Sequence, residues 1–309
     1  MKDAIVGYTG FVGSNLLKEH HFEGQYNSKN IQEAFGTNPD LLVYSGLRAE
    51  KFLANKYPEK DFNSILEAID NIKKINPKCL VFLSTIDVYK NVENINEDYF
   101  PEDDNLPYGK NRAYLEKWAL ENFDNVLIVR LPGLFGMNLK KNLIFDMIQY
   151  VPSMLNESKY KELSEKSELI KNSYEKQDNT FYKLIENSDE LKNEFKEVGF
   201  SALNFTDSRG IFQYYNLAHL WKHINIALEN NIKILNLATE PISATEIYHT
   251  VFNEEFKNEI MDQPFKYNFK TKYDKVFNGK DGYIYSKEQV LDEIKKYIGE
   301  RIWNWQFLI

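Results

Sequence analysis

Three glycines spaced Gly7-Tyr-Thr-Gly10-Phe-Val-Gly13 constrain this chain more than any other feature. They follow the apolar run Ala4-Ile5-Val6 and open a helical pattern over Phe11 to Glu19. A strand that turns into a helix within four residues needs backbone freedom at the turn, which the first glycine supplies. The second lets a pyrophosphate approach the backbone, and the third lets helix and strand pack closely. The N–H groups and positive dipole end of such a helix favour a diphosphate. Gly7, Thr9, Gly10, Phe11, Val12 and Gly13 are therefore the expected contacts to a dinucleotide; the other reading is a glycine-rich turn with no ligand.

Behind this turn, apolar runs alternate with helical patterns. Leu41 to Tyr44 reads as a strand, Phe62 to Ile75 as a helix, Cys79 to Leu83 as a strand and Tyr108 to Asn122 as a helix. Val126 to Leu131 is a further strand, closed by Pro132-Gly133. The pattern predicts an α/β chain with a doubly wound parallel sheet of the Rossmann type, a smaller substrate-binding lobe and a helical insertion. Residues 1–152 form the expected dinucleotide-binding core. In residues 153–200 charge density rises, and Phe181, Leu184, Ile185, Ser188, Leu191, Phe195 and Val198 fall on one helical face. That insertion is read as an amphipathic hairpin on the sheet, a substrate lid or a dimer contact. Residues 201–309 return to the core and complete the lobe: Ile211 to Tyr215 extended, Leu217 to Glu229 helical, Ile232 to Leu237 a strand. Ser243 with Glu246 then makes a capping box.

A chain of 309 residues, 43% apolar and 15% aromatic, can bury a large core. Its net charge of −8, carried by interspersed Lys and Glu, argues against nucleic acid as partner. The single cysteine, Cys79, has no internal partner for a disulfide and sits in an apolar run, as expected in a reducing cytosol. No apolar stretch approaches the roughly 20 residues that span a bilayer, and no signal-peptide pattern opens the chain. The expectation is a cytoplasmic protein that engages no membrane.

Three further segments fix the chemistry expected. They are Leu83-Ser-Thr85-Ile-Asp-Val-Tyr89, Tyr108-Gly-Lys-Asn-Arg112 and Val129-Arg-Leu-Pro132-Gly-Leu-Phe-Gly136. With the Gly-x-x-Gly-x-x-Gly spacing, they make the chain resemble the extended short-chain dehydrogenase/reductases that modify nucleotide-activated sugars. The resemblance covers residues 1–140 and 205–250 and none of the insertion. It implies an NAD(P)-dependent oxidoreductase or epimerase with Tyr108 as general acid/base and Thr85 bonding the substrate oxygen. Arg112 stands where the family has Lys, which leaves open a protein of the same fold that binds dinucleotide without turnover, as a sensor or scaffold. A phenol of reference pKa near 10 must fall by about three units, roughly 4 kcal/mol, to act as a base at pH 7.

Asp87 is either a second base or a bond to loop backbone. Because Thr85-Ile-Asp87 lacks a middle acid, reduction, oxidation or epimerisation is favoured over dehydration. Further cofactor contacts implied by the resemblance are Ser45, Gly46, Leu131, Pro132, Gly133 and Leu134. Asn27, Ser28 and Lys29 stand where an NAD-specific site places an acid; Ser28 and Lys29 suit a 2′-phosphate, favouring NADP over NAD, unless this is a solvated turn. Arg48, Asn142 and Arg209 are the expected substrate contacts, with Arg209 on the diphosphate or simply a surface arginine. No metal is expected, and the resemblance implies a homodimer through Phe62 to Ile75 and Tyr108 to Asn122.

Overall fold

Apolar runs of three to six residues, with opposite neighbours buried on opposite faces, build a parallel sheet covered by helices on both sides. A computed structural model describes residues 2–102, 104–177 and 180–306, which divide into two units. The first holds the residues up to Leu139 with Ile211–Ile242 and Lys266–Val290; the second holds Lys140–Gly210, Ser243–Phe265 and the residues from Leu291 on.

The first unit runs through β1 (Asp3–Val6), α1 (Phe11–Glu19), β2 (Gly24–Tyr26), β3 (Leu41–Tyr44), α2 (Lys51–Lys56) and α3 (Pro58–Ile75). It continues through β4 (Leu80–Thr85), α4 (Pro107–Asn122) and β5 (Val126–Leu131), and later supplies α9 (Leu220–Glu229) and β12 (Ile234–Asn236). The six strands lie in the order β12-β5-β4-β3-β1-β2, all parallel. Ile5, Val43, Val81 and Val129 pack under Leu16 of α1 and Ile224 of α9. Their neighbours Val6, Leu42, Phe82 and Ile128 pack under Ile65 and Ile72 of α3 and Leu115 of α4. The chain goes from β1 to β2 on one side and then crosses to β3 on the other. The carboxyl ends of β1 and β3 are thus the switch point at which open α/β sheets bind ligands.

Pro132 ends β5 as expected, but the chain pairs again at once: β6 (Gly133–Phe135) runs parallel to β11 (Tyr214–Asn216). The extended run 211–215 is accordingly divided, its first residues forming β10 (Ile211–Phe212). Cys79, just before β4, is half-buried, and burial pushes its thiol up. Among the described residues no helix is long and apolar enough to cross a membrane.

The second unit corrects the helical reading of residues 153–200. Strands β7 (Met154–Asn156), β8 (Tyr174–Lys176) and β9 (Phe181–Leu184) form an antiparallel sheet with β9 in the centre. The same unit holds α5 (Leu143–Ile148), α6 (Glu157–Lys166), α7 (Glu168–Asn172), α8 (Asp189–Glu197) and α10 (Ala244–Phe252). Phe181 and Leu184, assigned above to a helical face, are on β9; the helix begins only after Ser188, whose side chain accepts the Leu191 N–H at 3.1 Å. Pairing on both edges satisfies the β9 backbone, and spacings of three and four in so short a window do not distinguish the two periods. Leu155, Leu163, Ile170, Leu191 and Phe195 give the unit its own core. The Ser243–Glu246 capping box is present.

In the first unit His223 is buried between two phenols, with Nδ1 2.8 Å from the Tyr215 hydroxyl and Nε2 3.4 Å from that of Tyr285. Burial first, then the charges of His219 and Lys222, lower its pKa from 6.5 to about 3. The unfolded chain therefore takes up this proton first. Stability that is full above pH 6.5 is lost as pH falls toward 3, by about 3 kcal/mol at pH 4. Urea unfolding of wild type and His223→Gln between pH 7 and 4 checks this; the variant should lose correspondingly less, and parallel curves would refute it.

Candidate active site

Gly7 has φ +91°, and a Cβ there would lie 2.6 Å from the Ser45 carbonyl oxygen. One at Gly13 would lie 2.2 Å from the Gly7 carbonyl oxygen, so both positions exclude any side chain while β1, β3 and α1 stay in contact. Gly10 caps α1 without a side-chain acceptor, leaving the first-turn N–H groups unclaimed by any cap. Thr9 and Gly10 are exposed; Phe11 and Val12 are half-buried. Ser45 donates from its hydroxyl to the Val6 carbonyl at 2.9 Å, and Gly46 is exposed beside it.

At the end of β2, Asn27 accepts the Lys29 N–H at 2.8 Å, and the side chains of Ser28 and Lys29 are exposed. On the far side Leu131 ends β5 and Pro132, Gly133 and Leu134 follow it; a Cβ at Gly133 would come within 2.9 Å of the Gln213 carbonyl oxygen. One residue missed in the sequence ties these parts together. Buried Asn15 donates to the carbonyls of Phe11 and Met137, both at 2.8 Å, and accepts the Met137 N–H at 2.9 Å. Its only signal was a polar residue on the inner face of an apolar helix.

Thr85 ends β4 and accepts the Asp87 N–H at 3.2 Å. Helix α4 starts at Pro107 and sits directly on this turn, since a Cβ at Gly109 would fall 2.0 Å from the Asp87 carbonyl oxygen. Asn105 donates to the carbonyls of Asp87 and Val88, and the Tyr108 N–H donates to Asn55 on α2 at 2.9 Å. These contacts seat the start of α4 on the turn that follows Thr85, and the phenol of Tyr108 is buried there. Burial pushes this phenol up; Arg112 pulls it down, Asp87 up, and Thr85 and Lys51 down. Burial prevails, so the phenol lies above its ordinary value, not below it as a base at pH 7 requires.

Arg112 is buried, its guanidinium carbon 4.2 Å from the centroid of the Tyr108 ring. Its fork is already engaged by Asp61 of α3 and, at 2.9 Å, by the Arg48 carbonyl. Arg48 thus contributes backbone here, while its side chain is exposed. The Asp87 carboxylate, expected to be a base or a bond to loop backbone, is paired with Lys51 at 2.8 Å and lies 3.4 Å from the Tyr267 hydroxyl. Asp61, Lys51 and Tyr267 are absent from the sequence reading. Arg209 and Asn142 belong to the second unit. Arg209 bonds both oxygens of Asp207 at 3.0 and 2.8 Å, Glu259 at 3.0 Å and the Met261 carbonyl at 2.6 Å, and Asn142 caps α5 by accepting the Phe145 N–H at 3.1 Å. Among the described residues no cluster of His, Cys, Asp and Glu is arranged to hold a metal ion.

No family model and no curated relative matches the chain. Solved structures do. A dTDP-4-dehydrorhamnose reductase from Bacillus anthracis str. Ames, in complex with NADP, superposes with a TM-score of 0.63 at 14% identity over 97% of this chain and 99% of that one. A GDP-6-OMe-4-keto-L-xylo-heptose reductase from C. jejuni gives 0.62 at 14% identity over 99% and 97%. A UDP-galactose 4-epimerase gives 0.61 at 14% identity over 96% and 97%. The likeness runs along almost the whole of each chain, and the protein therefore has the fold of these sugar-nucleotide reductases and epimerases.

Proposed function

We propose that this chain is a cytoplasmic NAD(P)-dependent oxidoreductase or epimerase of nucleotide-activated sugars. The observation that carries the reading is the seating of the start of α4, with Tyr108, on the turn after Thr85 at the carboxyl end of β4, in the same parallel sheet whose β1/β3 switch point carries the glycine turn. The residues present fit a dinucleotide. Gly7 and Gly13 leave no room for side chains, and Gly10 adds no capping group that would compete for the amides of α1. These amides would bind the diphosphate. Exposed Ser28 and Lys29 at the end of β2 favour NADP over NAD, in keeping with the NADP and NADPH held by two structural neighbours.

When bound, the nicotinamide exchanges a hydride with a sugar carbon. The protein's part is proton transfer: Thr85 holds the sugar oxygen and Tyr108 delivers or takes its proton. A phenol kept neutral by burial is the donor form, which favours reduction of a keto sugar over the reverse. Exposed Leu66 on α3 and Tyr114 on α4 supply apolar surface for a homodimer. A second reading, a dinucleotide-binding sensor or scaffold without turnover, is favoured by one observation. Arg112, in place of the usual Lys, has its fork committed to Asp61 and Arg48.

Thermal unfolding with NAD, NADP and their reduced forms tests the common part of both readings. Ligand at 100 times its dissociation constant adds about 2.7 kcal/mol, a rise of several degrees. Protein stripped of copurified nucleotide that responds to none of the four would sink both.

A further inference from the structure

The first unit places an ammonium beside the Thr85–Tyr108 pair that the resemblance does not account for. Helix α2 is only six residues long, and its Lys51 and Asn55 lie four apart, hence on one face. Asn55 accepts the Tyr108 N–H at 2.9 Å, so this face is fastened to the first turn of α4. Lys51 on the same face reaches Asp87 at 2.8 Å. The Asp87 backbone in turn contacts both partners of the site: its N–H donates to Thr85, and its carbonyl seats Gly109.

The charged and titratable groups around the Tyr108 phenol are thus Lys51 from α2, Asp87 from the turn after β4, and Arg112 from α4 with Asp61 of α3 behind it; Tyr267 stands against Lys51 and Asp87. Arg112 lies over the ring and is bonded to Asp61 and a carbonyl. Lys51 has three N–H donors, which meet the Asp87 carboxylate at 2.8 Å and the side chain of Tyr267, and its side chain is 47% exposed. Burial disfavours its charge, but Asp87, Tyr267 and Tyr108 together hold its pKa above the ordinary lysine value.

We infer that Lys51 is a positioning residue for the reaction proposed above, an ammonium that α2 holds beside Tyr108 to stabilise the phenolate formed when the proton leaves. This rests on Tyr108 being the proton-carrying group. Lys51 adds its field to that of Arg112, which exerts the larger pull on the phenol from over the ring.

The test replaces Tyr108 by a fluorinated tyrosine whose phenol titrates within the pH range where the protein is folded, and follows its phenolate absorbance. Lys51→Met should raise the probe's pKa by about one unit, because loss of a nearby opposite charge disfavours the anion. Lys51→Arg should restore most of the shift. In an Asp87→Asn background the rise should persist, separating the field of Lys51 from that of an unpaired Asp87. A folded Lys51→Met protein with an unchanged probe pKa would overturn the inference; should Met prevent folding, Lys51→Gln serves the same comparison. The titration needs neither cofactor nor substrate. A failure of dinucleotide binding would remove the functional reading and leave this result separately legible.

Discussion

Tyr108→Phe should lower turnover by about 10²–10⁴-fold, the usual contribution of a placed general acid/base, and leave dinucleotide binding intact. The substitution removes one oxygen and keeps the ring, so the guanidinium of Arg112 still has its face to rest on and the backbone bond to Asn55 is untouched. The assay follows oxidation of NADPH and of NADH with a panel of dTDP-, UDP- and GDP-linked keto sugars, beside thermal titration with the same dinucleotides. Loss of turnover with an unchanged thermal shift supports proton transfer by Tyr108. A wild-type protein that binds dinucleotide but turns over no member of the panel, even with Arg112→Lys restoring the family's cation, moves the balance to the sensor or scaffold. Turnover equal in wild type and Tyr108→Phe would exclude Tyr108 as the proton carrier.

What was legible in the sequence was local. The bounds of α1, β3 and β5 follow from their apolar runs, with the glycine turn fixing the start of α1 and Pro132 the end of β5. The glycine turn could be read because the steric demand of Gly7 and Gly13 is met within a few residues of each. The same is true of the Ser243–Glu246 cap. The site's charge pattern was not legible, because it is made by partners far apart along the chain. Asp61 reaches Arg112 over 51 positions and Lys51 reaches Asp87 over 36. In sequence, Asp61 stands just before the helix read from Phe62, a place where capping alone would explain it; the structure starts α3 at Pro58 and puts Asp61 in its first turn. Strand β9 escaped for a different reason: it lies between two partners in a sheet whose strands have three or four residues, too few to show a period of two.

A further contact between residues apart in the chain is expected to matter at Arg130. This residue interrupts an apolar strand and is wholly buried. Its guanidinium bonds both oxygens of Glu116 on α4, at 2.6 Å from Nη2 and 3.1 Å from Nε, and donates to the Tyr89 hydroxyl. Glu116 also accepts from Ser84 at 2.5 Å, the residue before Thr85. The pair therefore fastens β5 and α4 to the end of β4, two helical turns from Tyr108. Arg130→Ala leaves the Glu116 carboxylate buried without its cation and should cost about 3–5 kcal/mol. Replacing both residues by apolar ones of similar volume, Arg130→Met with Glu116→Leu, removes the stranded charge and should recover most of that loss. Urea unfolding of the single and double variants at neutral pH decides the matter. If the double variant is as unstable as Arg130→Ala, the loss is one of packing and not of charge. If it recovers stability but loses turnover, the buried pair serves to hold Thr85 and Tyr108 in register, a requirement of the site over and above that of the fold.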